Sequence, residues 1–176
     1  MRRDETTVIP FMTRSILAFA VLGTELLAGP PVERPKFAAF PVKIIYRGTP
    51  AAPKLATDDQ KMFRSRIREG AKAKVEFAGH YTVPRWGCGS GCNDYVIADS
   101  MTGAVYDGLY VVDLPSAWLE EYGKEKRMEY HRDSRLLKIN GCPGEHDCGF
   151  YDYEMVDGKG LRLLRKDLLP QKYQPQ

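Results

Sequence analysis

The sequence predicts a mainly β (α+β) protein, with an antiparallel sheet or sandwich of about eight short strands and one amphipathic helix packed on it. Short runs of β-branched and aromatic residues recur between Gly, Pro, Asn and Asp turn signals, which is typical of strands joined by hairpins. Strands and helices do not alternate along the chain, so a parallel sheet is not expected. Hydrophobic residues make up 43% of the 176 residues, enough for the core of one domain.

The N-terminal residues 1–28 have the pattern of a signal peptide. Arg14 precedes an apolar run over residues 16–23, and small residues follow it. The run is too short to cross a bilayer, which needs about 20 apolar residues. Because residues 1–11 are long and partly acidic for the start of a leader, we expect translation to begin at Met12. A buried N-terminal helix is the structural alternative.

The remaining chain divides into three predicted parts. Residues 29–41 contain four prolines and predict an extended lead-in. Residues 42–170 predict a single β-rich domain, and the polar residues 171–176 predict a frayed tail. The first strand of the domain is expected at Val42–Tyr46, where β-branched residues alternate with others.

One helix is predicted between Thr57 and Gly70. Thr57 and Gln60 have the spacing of a capping box, and a glycine is a common helix end. Phe63 and Ile67 lie on its apolar stripe. Basic residues accumulate here, and they form either an anion-binding face or an ordinary solvated helix surface: Arg64, Arg66, Arg68, Lys72 and Lys74.

From residue 79 onward, short strands and tight turns alternate. Residues 79–86 predict an extended segment in which Pro84 indicates an edge position or a bulge. Residues 94–98 and 104–106 predict a hairpin whose loop begins with an Asx turn at Asp99. Further strands are expected at 109–112, 127–131, 135–140, 150–156 and 161–164, with a brief helix over 115–122.

The four cysteines form two local pairs, Cys88 with Cys92 and Cys142 with Cys148. Four cysteines allow three pairings, and we expect the local one because Gly and Pro turns bring each pair close together. Export favours disulfides over free thiols. The alternative is a zinc site made of the four thiolates, with His146 as a substitute ligand.

Three motifs stand between residues 70 and 107: Phe77–Tyr81 (FAGHY), Trp86–Cys92 (WGCGSGC) and Thr102–Tyr106 (TGAVY). With them, the chain resembles a family of exported bacterial domains that carry F-A-G-H-Y, W-G-C-G-x-x-C and T-G-x-V-Y. The resemblance implies export and a small β-rich architecture, and it assigns no catalytic residue.

Catalytic candidates are few. His80, Ser90 and either Asp99 or Asp94 supply the residue types of acyl transfer, although no G-x-S-x-G elbow surrounds the serine. These residues support the alternative function, a cell-envelope hydrolase that uses His80 with Ser90 or a nearby acid. A half-buried structural role for His80 is the simpler interpretation.

The glycine-rich loop offers no nucleotide motif. The loop over 87–92 lacks the Lys-Ser/Thr of a P-loop, and no G-x-G-x-x-G opens a helix. Its backbone amides allow two interpretations, an anion cradle or a turn closed by a disulfide. We expect no cofactor and no metal.

A binding surface is predicted around the same loop. Tyr81, Arg85, Trp86 and Ser90 combine aromatic area with polar groups, as recognition surfaces do. The net charge of +3 is too small to indicate a nucleic acid partner. The leading interpretation is therefore an exported, periplasmic or secreted, disulfide-stapled module without catalysis, which binds a protein or glycan of the cell envelope or acts as an inhibitor there.

Overall fold

Eight antiparallel strands form one open sheet in the computed structural model, which describes residues 33–175. The mainly β prediction is confirmed, and the predicted signal peptide lies outside the described residues. The strands are β1 (Tyr81–Thr82), β2 (Arg85–Gly89), β3 (Cys92–Asp99), β4 (Val105–Val112), β5 (Met128–Tyr130), β6 (Leu136–Pro143), β7 (Gly149–Val156) and β8 (Gly160–Leu168). The helices are α1 (Asp58–Met62), α2 (Arg64–Gly70) and α3 (Ser116–Tyr122), with 3₁₀ turns at Phe37–Ala39 and Gln171–Tyr173.

The sheet follows the order β1, β3, β4, β6, β7, β8, and every pairing is antiparallel. Two short strands lie off this path, since β2 pairs with β3 and β5 pairs with β6. β1 and β2 pair with opposite ends of β3, and β4 takes its other side. The break between β1 and β2 falls at Pro84, the position where an edge or a bulge was expected.

The predicted single helix is two helices, and this is a correction. The capping box is confirmed, because Thr57 Oγ1 accepts from the Gln60 N–H and the Gln60 side chain accepts from the Thr57 N–H. The helix breaks at Phe63, whose φ of −93° and ψ of 17° leave the helical region. Its ring stacks on Trp86 with centroids 4.7 Å apart. Packing against β2 therefore accompanies the departure from helical geometry.

The strand predicted at Val42–Tyr46 is wrong. The backbone there bonds to two different loops instead of a neighbouring strand: Val42 N–H donates to Asp133 O, and Tyr46 N–H donates to Gly79 O. Ile44 is 78% exposed despite its β-branched side chain. An alternating pattern predicts a strand only where another strand offers a ladder of partners.

Both predicted ends of the domain also need correction. The described part of the lead-in contains a 3₁₀ turn, and Arg34 binds the Asp152 carboxylate with Nη2 to Oδ1 at 2.6 Å. Residues 171–174 of the predicted tail pack against the domain instead of fraying. Tyr173 is buried, and the Gln174 side chain bonds to both backbone groups of Cys148.

The buried side chains form two clusters. The larger cluster is formed mainly by side chains of the strands and contains Phe77, Tyr81, Ile97, Val111, Leu137, Ile139 and Met155. The smaller cluster joins α3 and the C-terminal turn to the second cysteine pair through Leu114, Trp118, Cys142, Cys148, Leu169 and Tyr173. Within residues 33–175, no helix has both the length and the apolar character needed to cross a membrane.

Candidate functional site

The β2–β3 hairpin carries the glycine-rich loop over residues 87–92. A disulfide between Cys88 and Cys92 closes it, with the two Cα atoms 5.3 Å apart. Residues 87–90 are exposed, and a Cβ added at Gly87 or Gly89 would meet no atom within 4 Å. The hairpin tip is therefore a closed and uncovered turn.

The surroundings of this turn argue against an anion cradle. Gly91 O accepts from the Asp113 N–H at 2.8 Å, and a Cβ at Gly91 would lie 3.1 Å from the Asp113 carboxylate. The Asp113 carboxylate, which is paired with Arg127, thus occupies the space beside Gly91 where an anion would have to lie. Of the two interpretations, the structure agrees with the disulfide-closed turn.

The Trp86 side chain is only partly exposed. One side of its indole stacks on Phe63, and the indole N–H is buried without a hydrogen-bond partner among the described residues. Across the ladder, Trp86 pairs with Asp94. Burial raises the pKa of the Asp94 carboxyl, with a further increase from Asp59 and a decrease from the Tyr95 N–H. Asp94 is thus partly buried and lies within reach of the negative charge of Asp59.

The outer side of β2 is the free edge of the sheet. Val96 N–H donates to Pro84 O at 3.1 Å, and Arg85 then pairs with Tyr95 and Gly87 with Asn93. In an antiparallel ladder of this register, the N–H and C=O groups of Arg85 and Gly87 point away from β3. No backbone partner for these groups is found among the described residues. Pro84 had indicated an edge position or a bulge in this segment, but the sequence did not show which backbone groups point outward.

Tyr81 does not belong to an exposed surface. It is 0% exposed and lies in the larger core cluster, with its hydroxyl donating to Asp157 Oδ1 at 3.0 Å. Burial raises the pKa of Tyr81, and the Asp157 carboxylate raises it further. Of the four predicted contact residues, Arg85 and Ser90 are exposed and Trp86 is half-buried.

The structure separates His80 from Ser90. The backbone of His80 bonds to Ser100, just after β3 ends, whereas Ser90 precedes the start of β3. A strand of eight residues spans more than about 20 Å, so the predicted His80–Ser90 pair cannot act together. This part of the hydrolase hypothesis is wrong.

His80 does lie beside acids. Its Nε2 is 4.0 Å from Asp99 Oδ2 and 3.8 Å from Asp157 Oδ1, at a cavity of about 420 Å³. Asp99 is engaged in the predicted Asx turn, because Oδ1 accepts from Met101 N–H at 2.7 Å and Oδ2 from Thr102 Oγ1 at 2.6 Å. Asp99 therefore has a structural role in the turn. No serine side chain in the described part of the chain is hydrogen-bonded to His80.

The second disulfide joins Cys142 and Cys148. Both predicted local pairings are thus present, and no cysteine among the described residues is free. All four sulfurs are consumed in disulfides, which excludes the zinc alternative built on thiolates. Among residues 33–175, no group of three or more His, Cys, Asp or Glu side chains is arranged to hold a metal ion.

Comparisons of the chain with family models, with curated proteins and with solved structures gave no match. The resemblance to exported bacterial domains therefore stays a prediction based on its three motifs.

Proposed function

We propose that the chain is an exported, non-catalytic binding module of the cell envelope, which binds an extended segment of a partner protein along the free edge of β2. The observation that carries this proposal is the pair of residues, Arg85 and Gly87, whose backbone groups point outward from an exposed strand. An extended peptide that adds a strand there would satisfy these groups.

The hairpin is prepared for such a partner. The Cys88–Cys92 disulfide and the stacking of Trp86 on Phe63 fix the strand before binding, which lowers the entropy lost on association. The exposed Arg85 side chain stands at the start of the edge and favours an acidic group in the partner. Edge pairing supplies affinity, and the arginine supplies selectivity.

Export is supported by the chemistry of the cysteines. Disulfides persist in the periplasm and outside the cell, and they are rare in the reducing cytosol. Two local disulfides in a chain with a signal-like N-terminal segment are consistent with this compartment. A periplasmic or secreted location follows as part of the proposal.

The decisive variants are Gly87→Pro and Gly87→Ala. Proline removes the outward N–H of residue 87, and an edge strand tolerates it. Alanine keeps that N–H, and the added Cβ meets no atom within 4 Å. With a photo-crosslinking residue at Ser90, we expect one discrete adduct in the exported protein and in Gly87→Ala, and its loss in Gly87→Pro.

A crosslinker at Lys124, an exposed residue of another segment, is the positional control and should give no such adduct. Equal adducts from Ser90 and Lys124, or an adduct that survives Gly87→Pro, would contradict edge pairing. An adduct with the mass of two copies of this chain would also contradict it, since the partner would be a second copy.

The alternative function is a hydrolase, and the specific observation in its favour is His80 between two carboxylates at a cavity. A general base of this kind would activate water directly, because no serine side chain among residues 33–175 is hydrogen-bonded to it. His80→Ala would then abolish turnover of ester or amide substrates while the protein stays folded. Absence of any turnover in the unaltered protein rejects this alternative.

A further inference from the structure

A cavity of about 430 Å³ lies between the loop that follows α2, the segment 45–50 and the turn before β6. Its polar side chains are almost all cationic: Arg47, Lys72, Lys74 and Arg132. No acidic residue is among the described residues that line it. Four other surface cavities in the described part of the chain each contain an Asp or a Glu.

No residue of the described part of the chain neutralises the four cations. Within residues 33–175, none of their side chains makes a hydrogen bond or an ion pair, although many other arginines and lysines of the chain do. The four side chains are exposed, so water screens part of their mutual repulsion, and an anion between them would relieve the rest. The basic run over residues 64–74 thus contributes Lys72 and Lys74 to this cavity. Arg47 and Arg132 come from two other segments and complete the set of four cations.

The walls of this cavity are held together at Gly79. Its carbonyl accepts from Tyr46 N–H at 2.7 Å, and its own N–H donates to Arg132 O at 2.7 Å. The segment that carries Arg47 and the turn that carries Arg132 are therefore tied to one residue. Backbone hydrogen bonds thus fix the relative positions of these two segments without a ligand.

The remaining lining is aromatic and apolar. The Tyr46 ring lies against Gly48, where a Cβ would come within 2.3 Å of the ring hydroxyl, and that hydroxyl donates to Thr49 O. Ile45 and Val75 complete this side. A ligand that fills the cavity therefore joins a highly charged part to a carbon-rich part.

We infer that the cavity binds a small organic diphosphate. Its two adjacent phosphate groups carry about three negative charges at neutral pH, which offset most of the charge of the four cations, and arginine forks match phosphate oxygens in pairs. One phosphate group would leave about two cations uncompensated at neutral pH. The site shares no residue with β2, so it is a binding function in addition to edge pairing.

The test is calorimetric titration of the full chain, recovered after export, with inorganic pyrophosphate at about 0.15 M salt, where attraction to scattered surface charges is screened. We expect saturable binding of one pyrophosphate, and binding of orthophosphate and citrate at least about tenfold weaker, a difference of about 1.4 kcal/mol.

Two double variants with the same change in net charge locate the site. Lys72→Gln with Lys74→Gln should weaken pyrophosphate binding at least about tenfold. Lys124→Gln with Lys159→Gln, at exposed residues outside the cavity, should leave it unchanged. Circular dichroism confirms that both remain folded.

Equal losses in the two double variants would overturn the inference, because the attraction would then be unspecific. No binding by the unaltered chain at millimolar pyrophosphate would overturn it as well. Citrate binding as tight as pyrophosphate would reject the diphosphate assignment. None of these results bears on edge pairing, which is read from Gly87→Pro.

Discussion

Asp152 lies on β7 and is fully buried, and Arg34 forms an ion pair with its carboxylate. Arg34 Nε and Nη2 both donate to Asp152, and Nη1 donates to Asn140 Oδ1 at 2.7 Å. Removing one partner of a buried ion pair leaves an uncompensated charge. Because Arg34 lies in the lead-in and Asp152 lies in the sheet, this ion pair also fixes the lead-in to the sheet.

We therefore expect Arg34→Met to lower the free energy of unfolding by about 3 kcal/mol. The measurement is urea denaturation followed by circular dichroism. The double variant Arg34→Met with Asp152→Asn should regain part of that loss, because no unpaired charge stays buried. A double variant as unstable as the single one would contradict this account of the pair.

Gly79 has a φ of +83°, and a Cβ there would lie 2.6 Å from Ile44 O. Gly158 also has a positive φ, +72°, but no atom lies within 4 Å of its added Cβ. Gly158→Ala should lose about 1 kcal/mol from backbone strain alone, and Gly79→Ala clearly more, because a carbonyl must also move. Thermal unfolding of the two variants compares them, and equal losses would refute the proposed clash.

At the scale of elements, the two disulfides staple different environments. Cys142 and Cys148 are buried in the smaller core cluster, whereas Cys88 is exposed at the hairpin tip. Both loops are short, so the chain-entropy contribution of each bond is about 2 kcal/mol. The two disulfides differ instead in how the surrounding side chains pack against them.

Replacing Cys142 and Cys148 by alanine should therefore reduce the free energy of unfolding by about 1 kcal/mol more than replacing Cys88 and Cys92, since buried sulfur contacts are lost as well. Urea denaturation of the two double variants measures the difference. A larger loss from replacing Cys88 and Cys92 would contradict the assignment of the Cys142–Cys148 pair to the core.

Local signals predicted the elements that depend on neighbours in sequence. The capping box at Thr57, the Asx turn at Asp99 and the cysteine pairings all use partners within a few residues. Elements that depend on distant partners could not be read in this way. Val42–Tyr46 has the alternation of a strand, but the folded chain offers it only loops.

The candidate site shows the same division. The exposed loop and Arg85 were predictable from composition and turn residues, whereas the position of His80 relative to Ser90 depends on the length of β3. Tyr81 was predicted as a surface residue because tyrosine suits both environments, and only the packing of the sheet decides for the core. The cationic cavity joins segments far apart in sequence, which no local pattern reveals.

At the scale of the whole molecule, buried tyrosines make stability depend on alkaline pH. Burial and the Glu76 carboxylate raise the pKa of Tyr130 to about 12, and burial and Asp147 raise that of Tyr151 to about 12. In the unfolded chain tyrosine ionises near pH 10. Between these values the folded protein holds more protons, so its stability falls as the pH rises from about 10 to 12.

Ultraviolet titration of tyrosinate, with circular dichroism at each pH, checks this expectation. Part of the ten tyrosines should ionise only as the fold is lost. Tyr151→Phe keeps the buried ring and removes one of these protons, so its stability should decline less over the same interval. An unchanged decline would contradict the role of Tyr151.

The central claim, an exported domain closed by two disulfides, is tested most directly by the intact mass of the chain expressed with its own N-terminal segment. Thiols are alkylated before and after reduction. We predict a chain that has lost its leader up to about residue 28 and accepts four labels only after reduction. A chain of full mass that takes four labels without a reductant would contradict both export and the disulfides.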